Sequence, residues 1–172
     1  MAVINYAYTA PVNRPGQPTL THAQVWAGLE CKVRHGDEFV PAIAECTVIS
    51  DETTKNANET IVTRDILLNP GNGLNSNATK RLSLREVCTQ LAPYRIDFVM
   101  ENGTMITNSV SSGAEPSELY LTSLFSWRHP DVKDGSAEVE ALAAKHEATA
   151  KAAVETTLVT MRRLVSEGKI NA

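Results

Sequence analysis

Residues 136–168 read SAEVEALAAKHEATAKAAVETTLVTMRRLVSEG and carry the clearest long helical pattern in the chain. Ser136 is a favourable N-cap residue, and Gly168 is a favourable residue at the C-terminal end of a helix. Apolar and small residues recur with a period of 3.6 residues and form one stripe. The stripe consists of Val139, Leu142, Ala143, His146, Ala150, Ala153, Val154, Leu158, Met161 and Leu164. This pattern predicts a long C-terminal helix that buries one face.

Six short runs rich in Val, Ile, Thr and aromatic residues precede that helix. They are CTVIS, ETIVTRDILL, KRLSLREVCTQL, YRIDFVM, TMITNSV and LYLTSLFSWR, and turn-forming residues such as Asn102-Gly103 separate them. Strands joined by short turns pair antiparallel, because parallel pairs need long crossovers. The last run ends in Trp127-Arg128-His129-Pro130, where the proline stops the strand. We expect Trp127 to wall a pocket, and Arg128 and His129 to reach the sheet end or the pocket mouth.

The N-terminal part of the chain predicts one strand and two short helices. NYAYTAPVN alternates as a strand does, and Thr21 with Gln24 has the spacing of a capping box that starts a helix. We expect this helix to run to about Val33, with Val25, Trp26, Leu29 and Val33 on one face. HGDEFVPAI then predicts a short second helix that stops near Pro41. The element order is therefore β-αα-β6-α.

This order favours an α+β fold. A single antiparallel sheet needs one face covered, and the C-terminal helix is the one predicted element large enough to cover it. Ala143, Ala150 and Ala153 give its stripe little volume, so a curved sheet over this helix can leave an internal cavity. The length of 172 residues suits a single domain over residues 1–172.

Composition makes several classes of partner unfavourable. The net charge is −4 and Lys and Arg are not clustered, so we expect no nucleic-acid partner. The N-terminus does not resemble a signal peptide, and no run approaches the roughly 18 apolar residues of a membrane span. Three widely spaced cysteines favour reduced thiols. We expect a cytoplasmic protein without a membrane partner, either a monomer or a homodimer.

Several segments carry a resemblance to a known family. They are LTHAQVWAGLECKVRH, FVPAIAECTVI, IVTRDI, LREVCTQLAP, ITNSV, LYLTSLFSWRHP and AVETTLVTMRRLVSEGKI. With the element order, they resemble the AtaL-like family of the SRPBCC or START superfamily, which includes the birch-pollen-allergen-like proteins. The resemblance implies a helix-grip fold, a curved seven-stranded antiparallel sheet around the C-terminal helix with an internal cavity. It also implies a fungal or bacterial family named after a protein of a biosynthetic gene cluster. The connection at residues 69–80 looks longer than in this family, which could alter the cavity mouth.

Motifs for metal or cofactor chemistry are missing from the sequence. The four histidines and three cysteines lack the close pairings of a zinc site. NPGNG precedes a strand and lacks the lysine of a phosphate-binding loop, and no Gly-x-Ser-x-Gly elbow is present. We therefore expect neither a metal nor a cofactor.

Arg64 and Glu86 are the first candidate catalytic residues. Strand alternation places Arg64 on one face with Val62 and Ile66, which is unusual for a solvent face. Arg64 either holds an anionic ligand oxygen inside the cavity, or lies outside or pairs with a glutamate of a neighbouring strand. Glu86 is its natural partner, either as a general base with a raised pKa or as a member of a salt bridge.

Two further catalytic candidates are Tyr120 and His146. Tyr120 could be a general acid or a packed residue with a satisfied hydroxyl, and His146 could move a proton or be a satisfied core residue. Asn108 could donate to a ligand carbonyl or satisfy a sheet corner. Phe98 alternates with Tyr94, Ile96 and Met100 on one predicted face. The full predicted ligand-binding set is Trp26, Phe98, Asn108, Trp127, Leu142 and Ala150.

These features suggest a cofactor-independent protein of secondary metabolism. It would bind a hydrophobic, oxygenated small molecule in its cavity and promote cyclisation or isomerisation by holding a reactive conformer. Arg64 and Asn108 would stabilise negative charge, and Glu86, Tyr120 or His146 would move a proton. The alternative is a non-catalytic carrier of a similar ligand. A weaker third possibility is a module that binds a protein partner at the sheet edge.

Overall fold

The computed structural model describes residues 1–56, 58–71, 79–115 and 117–171. Its elements are β1 Ala2–Pro11, α1 His22–Arg34, α2 Gly36–Phe39, β2 Ile43–Thr53, β3 Glu59–Leu68, β4 Leu82–Leu91, β5 Arg95–Met100, β6 Met105–Ser112, β7 Leu119–His129 and α3 Ala137–Ser166. The predicted order β-αα-β6-α is confirmed. Residues 72–78 of the long connection lie outside the described residues, so its effect on the cavity mouth stays a prediction.

The seven strands form one antiparallel sheet in the order β1-β7-β6-β5-β4-β3-β2. Strands β2 to β7 follow one another as a meander, and β1 closes the other side by pairing with β7, from Ala2 opposite His129 to Pro11 opposite Tyr120. Irregular register near Ile43 and Val48 bends the edge strand β2. The sheet curves around α3, which confirms the predicted α+β helix-grip fold.

Helix α3 buries the stripe that the sequence predicts. Its buried apolar residues are Leu142, Ala150, Val154, Leu158, Met161 and Leu164. The C-terminal half packs with Val25 and Leu29 of α1 in the larger core cluster. The N-terminal half packs with Phe125 and Trp127 of β7 in a second cluster. Within the described residues, no helix combines the length and apolar composition needed to cross a bilayer.

The two predicted N-terminal helix caps have different outcomes. At the start of α1, the Gln24 backbone N–H donates to Thr21 Oγ1 at 3.1 Å, and the Thr21 N–H donates to Gln24 Oε1 at 3.0 Å. This capping box is confirmed. Ser136 occupies the N-cap position of α3, but its side chain makes no capping hydrogen bond there.

Tyr94, expected on the inner face of β5, precedes the strand in a turn and is 56% exposed.

Gly28 allows α1 to approach α3 closely. A Cβ atom at this position would lie 2.6 Å from Met161 Cγ and 3.0 Å from its Sδ. These distances are below van der Waals contact, and Met161 is fully buried, so it has little room to move.

We predict that Gly28→Ala destabilises the protein by about 1–3 kcal/mol, because overpacking outweighs the better helix propensity of alanine. Urea unfolding followed by circular dichroism measures this change. In a Met161→Ala background, where the clash is removed, the same substitution should be neutral or stabilising. Equal destabilisation in both backgrounds would contradict the steric explanation.

Candidate functional site

A pocket of about 110 Å³ lies between the inner face of the sheet and α3. Most of its wall is apolar, with aromatic rings from β5 and β7 and aliphatic side chains from β2, β3 and β6. Its lining residues are Lys32, Val40, Ala42, Ile43, Arg64, Ile66, Leu68, Glu86, Phe98, Met100, Ile106, Asn108, Ser123, Phe125, Trp127, Thr149 and Ala153. A small number of polar groups in an apolar wall is typical of a ligand site.

Arg64 and Glu86 form a buried ion pair across β3 and β4. Arg64 Nε donates to Glu86 Oε2 at 2.7 Å, and Nη2 lies 2.5 Å from the same oxygen. The two residues are 3% and 1% exposed. Although burial opposes its charge, the Glu86 carboxylate raises the pKa of Arg64 above its ordinary value. Two sequence alternatives are therefore combined, because Arg64 faces inward and also pairs with the glutamate of a neighbouring strand.

Arg64 also joins the sheet to α1. Its Nη1 donates to the backbone oxygens of Lys32 at 2.8 Å and Val33 at 2.7 Å, in the last turn of the helix. A cation at a helix C-terminus satisfies free carbonyls and complements the helix dipole. A Cβ at Gly36 would lie 2.9 Å from Nη1, so glycine fits the start of α2. With these partners, the guanidinium acts mainly as a structural link.

Lys32 is the charged pocket residue that sequence reasoning missed, and Ser123 beside it was missed as well. Lys32 Nζ donates to Asn108 Oδ1 at 3.0 Å and to Thr157 Oγ1 at 3.1 Å, and Asn108 Nδ2 donates to Ser123 Oγ at 2.8 Å. Burial, and then the Arg64 charge, lower the pKa of Lys32 to about 8, while Glu86 opposes the shift. The available signal was its spacing, because Lys32 follows Leu29 by three residues on the apolar face of α1.

His146 belongs to a ring stack beside the pocket. Its ring packs on Trp127 at 4.1 Å between centroids, and Trp127 stacks on Phe125 at 4.7 Å. His146 Nε2 lies 2.8 Å from His129 Nε2, a contact the sequence did not predict. Such a bond requires at least one of the two rings to be neutral, because one nitrogen must accept. Burial, and then the nearby His129, lower the pKa of His146 to about 4.

The remaining predicted site residues divide by position. Phe98, Asn108 and Trp127 line the pocket as expected. The predicted ligand contacts Trp26, Leu142 and Ala150 are instead buried in the core clusters and are not among its lining residues.

Tyr120 is a correction to the predicted general acid. Leu121, Ser123, Phe125 and Trp127 of β7 are buried, and alternation places Tyr120 on the opposite face of that strand, away from the pocket.

Comparison with known sequences identifies one family. The model of the family described as acetylaranotin biosynthesis cluster protein L matches residues 6–168. A curated protein of that name from Aspergillus terreus (strain NIH 2624 / FGSC A1156) is 28% identical over 165 residues. The alignment covers 95% of this chain and 91% of the relative, so the similarity extends over nearly the whole fold.

Comparison with solved structures supports the helix-grip architecture. Zhui aromatase/cyclase from Streptomyces sp. R1128 matches with a TM-score of 0.60 at 16% identity, over 95% of this chain and 96% of that chain. The di-domain aromatase/cyclase StfQ from the steffimycin pathway matches with a TM-score of 0.63 at 10% identity, over 95% of this chain and 52% of that one. At these identities the likeness establishes the fold.

We predict that Glu86→Gln destabilises the protein by about 3–5 kcal/mol, because it leaves the Arg64 charge buried without its partner. Asp65→Asn is the matched control, since Asp65 pairs with Arg85 across the same two strands on the exposed face. It should change stability little, as exposed ion pairs contribute little. Chemical unfolding of both variants measures the difference, and equal losses would contradict a special role for the inner pair.

We predict that stability falls as the pH drops from about 6.5 to 4. Histidine in an unfolded chain has a pKa of about 6.5, whereas in the folded protein burial lowers the pKa of His146 to about 4. The unfolded chain therefore binds this proton more tightly, so the stabilisation is complete above pH 6.5 and lost as the pH falls.

His146→Phe should flatten this pH dependence while keeping a ring on Trp127. Urea unfolding at pH 7 and pH 5 measures it, in a range where most carboxylates remain ionised. The exposed His35→Gln is the control and should retain the wild-type difference. If His146→Phe keeps the wild-type difference in stability between pH 7 and pH 5, a group other than His146 is responsible for the titration.

Proposed function

The chain belongs to the acetylaranotin biosynthesis cluster protein L family, and we propose that it acts on a small hydrophobic, oxygenated intermediate of secondary metabolism. The ligand would occupy the pocket between the sheet and α3. There the protein would promote cyclisation or isomerisation, without a cofactor. The single observation that carries this proposal is the pocket itself, a largely apolar chamber that a hydrogen-bonded polar cluster of Lys32, Asn108 and Ser123 lines beside the Arg64–Glu86 ion pair.

The shape of the pocket provides the first part of the proposed mechanism. At about 110 Å³ it suits a monocyclic compound or a short folded chain better than a sterol. Phe98, Phe125 and Trp127 present aromatic surface to such a ligand, and together with Ile66 they exclude water. Holding a flexible chain in one folded conformer lowers the entropy that must be lost in the cyclisation step.

The charge of the pocket provides the second part. Glu86 is engaged by Arg64, so the ammonium of Lys32 is the cation without a carboxylate partner of its own among the pocket residues described. A carbonyl oxygen bound near Lys32 and Asn108 would be stabilised as it gains enolate character. Arg64 would contribute to the positive potential at longer range while keeping its structural bonds.

The aromatase/cyclase structures are consistent with this reaction class. Zhui and StfQ are described as aromatase/cyclases, and they share the fold at low sequence identity. The reaction proposed here would fold a chain of carbonyl groups and join two of its carbons. An apolar pocket with an oxygen-binding cluster is suited to that chemistry.

A carrier remains the second candidate, for one specific reason. Among the predicted catalytic groups, Arg64 and Glu86 are engaged with each other, His146 packs behind Trp127, and Tyr120 lies on the opposite face of β7. A protein that only binds and protects a ligand needs the pocket but no proton-transfer group. Catalysis and carriage therefore differ in whether a bound substrate is converted.

We predict that orsellinic acid, a monocyclic phenolic acid, raises the melting temperature of the protein and forms a one-to-one complex with it in native mass spectrometry.

We also predict that the protein accelerates cyclisation of the N-acetylcysteamine thioester of a linear diketo acid. Liquid chromatography of the product measures this rate. Asn108→Leu keeps the side-chain size but removes the amide, so it should slow this reaction on the order of 100-fold.

Thr122→Val is the matched control. Thr122 neighbours Ser123 on β7 but points to the exposed face, where it bonds Thr9. This variant should retain wild-type binding and conversion. Tight binding of the phenolic acid and of the thioester without any conversion would favour the carrier. If neither the phenolic acid nor the thioester binds, the proposed function of the pocket is overturned.

A further inference from the structure

We propose that Lys32 is a carbonyl-reactive amine, which forms an imine with a ketone of a 1,3-dicarbonyl ligand held in the pocket. This inference deepens the proposed function and rests on it for the ligand class. It adds a covalent step at Lys32, a helical lysine for which the sequence alone gives no sign of reactivity. The geometry around Nζ carries the proposal.

The amine of Lys32 is fixed in position but not saturated. Asn108 Oδ1 and Thr157 Oγ1 accept two of its hydrogens at 3.0 and 3.1 Å. Thr157 Oγ1 is itself oriented, because it donates to the Ala153 backbone oxygen at 2.7 Å. With the side-chain carbon, these contacts use three tetrahedral directions of the nitrogen. No described residue provides a third hydrogen-bond partner, so the fourth direction holds a proton in the charged form and a lone pair in the neutral form.

That nitrogen borders the space where a ligand would lie. Lys32 lines the pocket, and Nζ is 5.9 Å from the centre of the Phe98 ring, which lines it as well. Asn108 and Ser123 lie on the same wall, on paired positions of β6 and β7. A carbonyl group approaching this wall would meet the amine together with the polar side chains that can bind its oxygen.

The surroundings favour the neutral, nucleophilic form of the amine. The charged groups that face Lys32 are Arg64 from β3 and Glu86 from β4, and Glu86 is already paired with Arg64. The other neighbours are uncharged, with Phe98 on β5, Asn108 on β6 and Thr157 on α3. Burial beside a second cation is a recognised way to activate a lysine. The pKa of about 8 leaves both forms populated near neutral pH.

A purely structural role explains this arrangement less well. A lysine is almost never fully buried unless a carboxylate pairs with it, and an uncompensated charge is costly. Lys32 is only 8% exposed, and the described residues place no carboxylate in an ion pair with it. Asn108 and Thr157 are neutral acceptors that position the nitrogen without neutralising a charge.

The proposed step balances without an oxidant or reductant. The Nζ lone pair forms a bond to the carbonyl carbon, and the carbonyl π electrons move to oxygen. The two hydrogens of the amine leave with that oxygen as water, which gives the imine. In a 1,3-diketone a proton then moves from the central carbon to nitrogen, and the product is a conjugated enaminone. Such an adduct makes the neighbouring carbon nucleophilic, as carbon–carbon bond formation requires.

Acetylacetone is the probe for this inference. Incubation with the wild-type protein should add the mass of one diketone less one water, with near-ultraviolet absorption of an enaminone, and peptide mapping should place it on Lys32. At pH 7 the rate should exceed that of a free lysine side chain on the order of 100-fold, because the neutral fraction is larger by that order. The rate should rise as the pH passes through about 8.

Three variants separate this role from a structural one. Lys32→Met should abolish the adduct, and Lys133→Met, at an exposed lysine before α3, should leave it unchanged. Thr157→Val removes one acceptor that favours the charged amine, so the pH profile of labelling should move to lower pH. A second test does not need the Lys32→Met variant to fold. Orsellinic acid bound in the pocket of the wild-type protein should block labelling of Lys32 by acetylacetone.

The outcomes distinguish the two proposals. Labelling spread over surface lysines, or a Lys32 rate equal to that of a free lysine, would overturn the inference. If orsellinic acid binds and the thioester cyclises while Lys32 stays unmodified, the proposed function stands and the covalent step is wrong. If acetylacetone labels Lys32 but the thioester is not converted, the reactive amine is supported and the cyclisation proposal fails.

Discussion

The buried contact between Arg64 and Glu86 holds the inner face of the sheet and the end of α1 together. It joins β3 to β4 through a carboxylate and joins both strands to the last turn of α1 through two backbone carbonyls. The pair is costly to desolvate, so its value depends on complete hydrogen bonding. By fixing the end of α1 over the sheet, it also fixes Lys32, the residue whose carbonyl it binds.

The same constraint shapes the pocket. Arg64 is held against one wall, and its guanidinium lies 5.2 Å from the centre of the Phe98 ring. Phe125, Trp127 and His146 form a continuous ring stack near the opposite end of the site. On α3, the small side chains of Thr149 and Ala153 line the space between these two groups. The polar cluster around Lys32 thus lies in an otherwise apolar space, where its electrostatic effects are strong because little water screens them.

Local signals in the sequence predicted much of this fold correctly. The capping box at Thr21 set the start of α1, and the apolar stripe on α3 set its buried face. Alternation along β3 placed Arg64 on one face with Val62 and Ile66 and left its direction open, and a buried arginine needs a partner, which indicated Glu86. The sequence left Tyr120 open between a general acid and a packed residue, and the burial pattern of β7 then placed it on the face opposite the pocket. Lys32 was missed because lysine on a helix ordinarily extends its amine to solvent.

The element order, the antiparallel pairing and the family could be predicted from residue patterns, because caps, turns and periodic burial are encoded within a few neighbouring residues. Which polar groups meet became known from the folded chain. Lys32 and Asn108 are 76 positions apart, and His129 and His146 belong to a strand and a helix that face each other only after folding. Contacts of this kind depend on sheet curvature and helix placement, which arise from packing of the whole chain. The polar contacts of the pocket therefore depend on the complete fold, whereas the helices and strands that carry them can be predicted from local sequence.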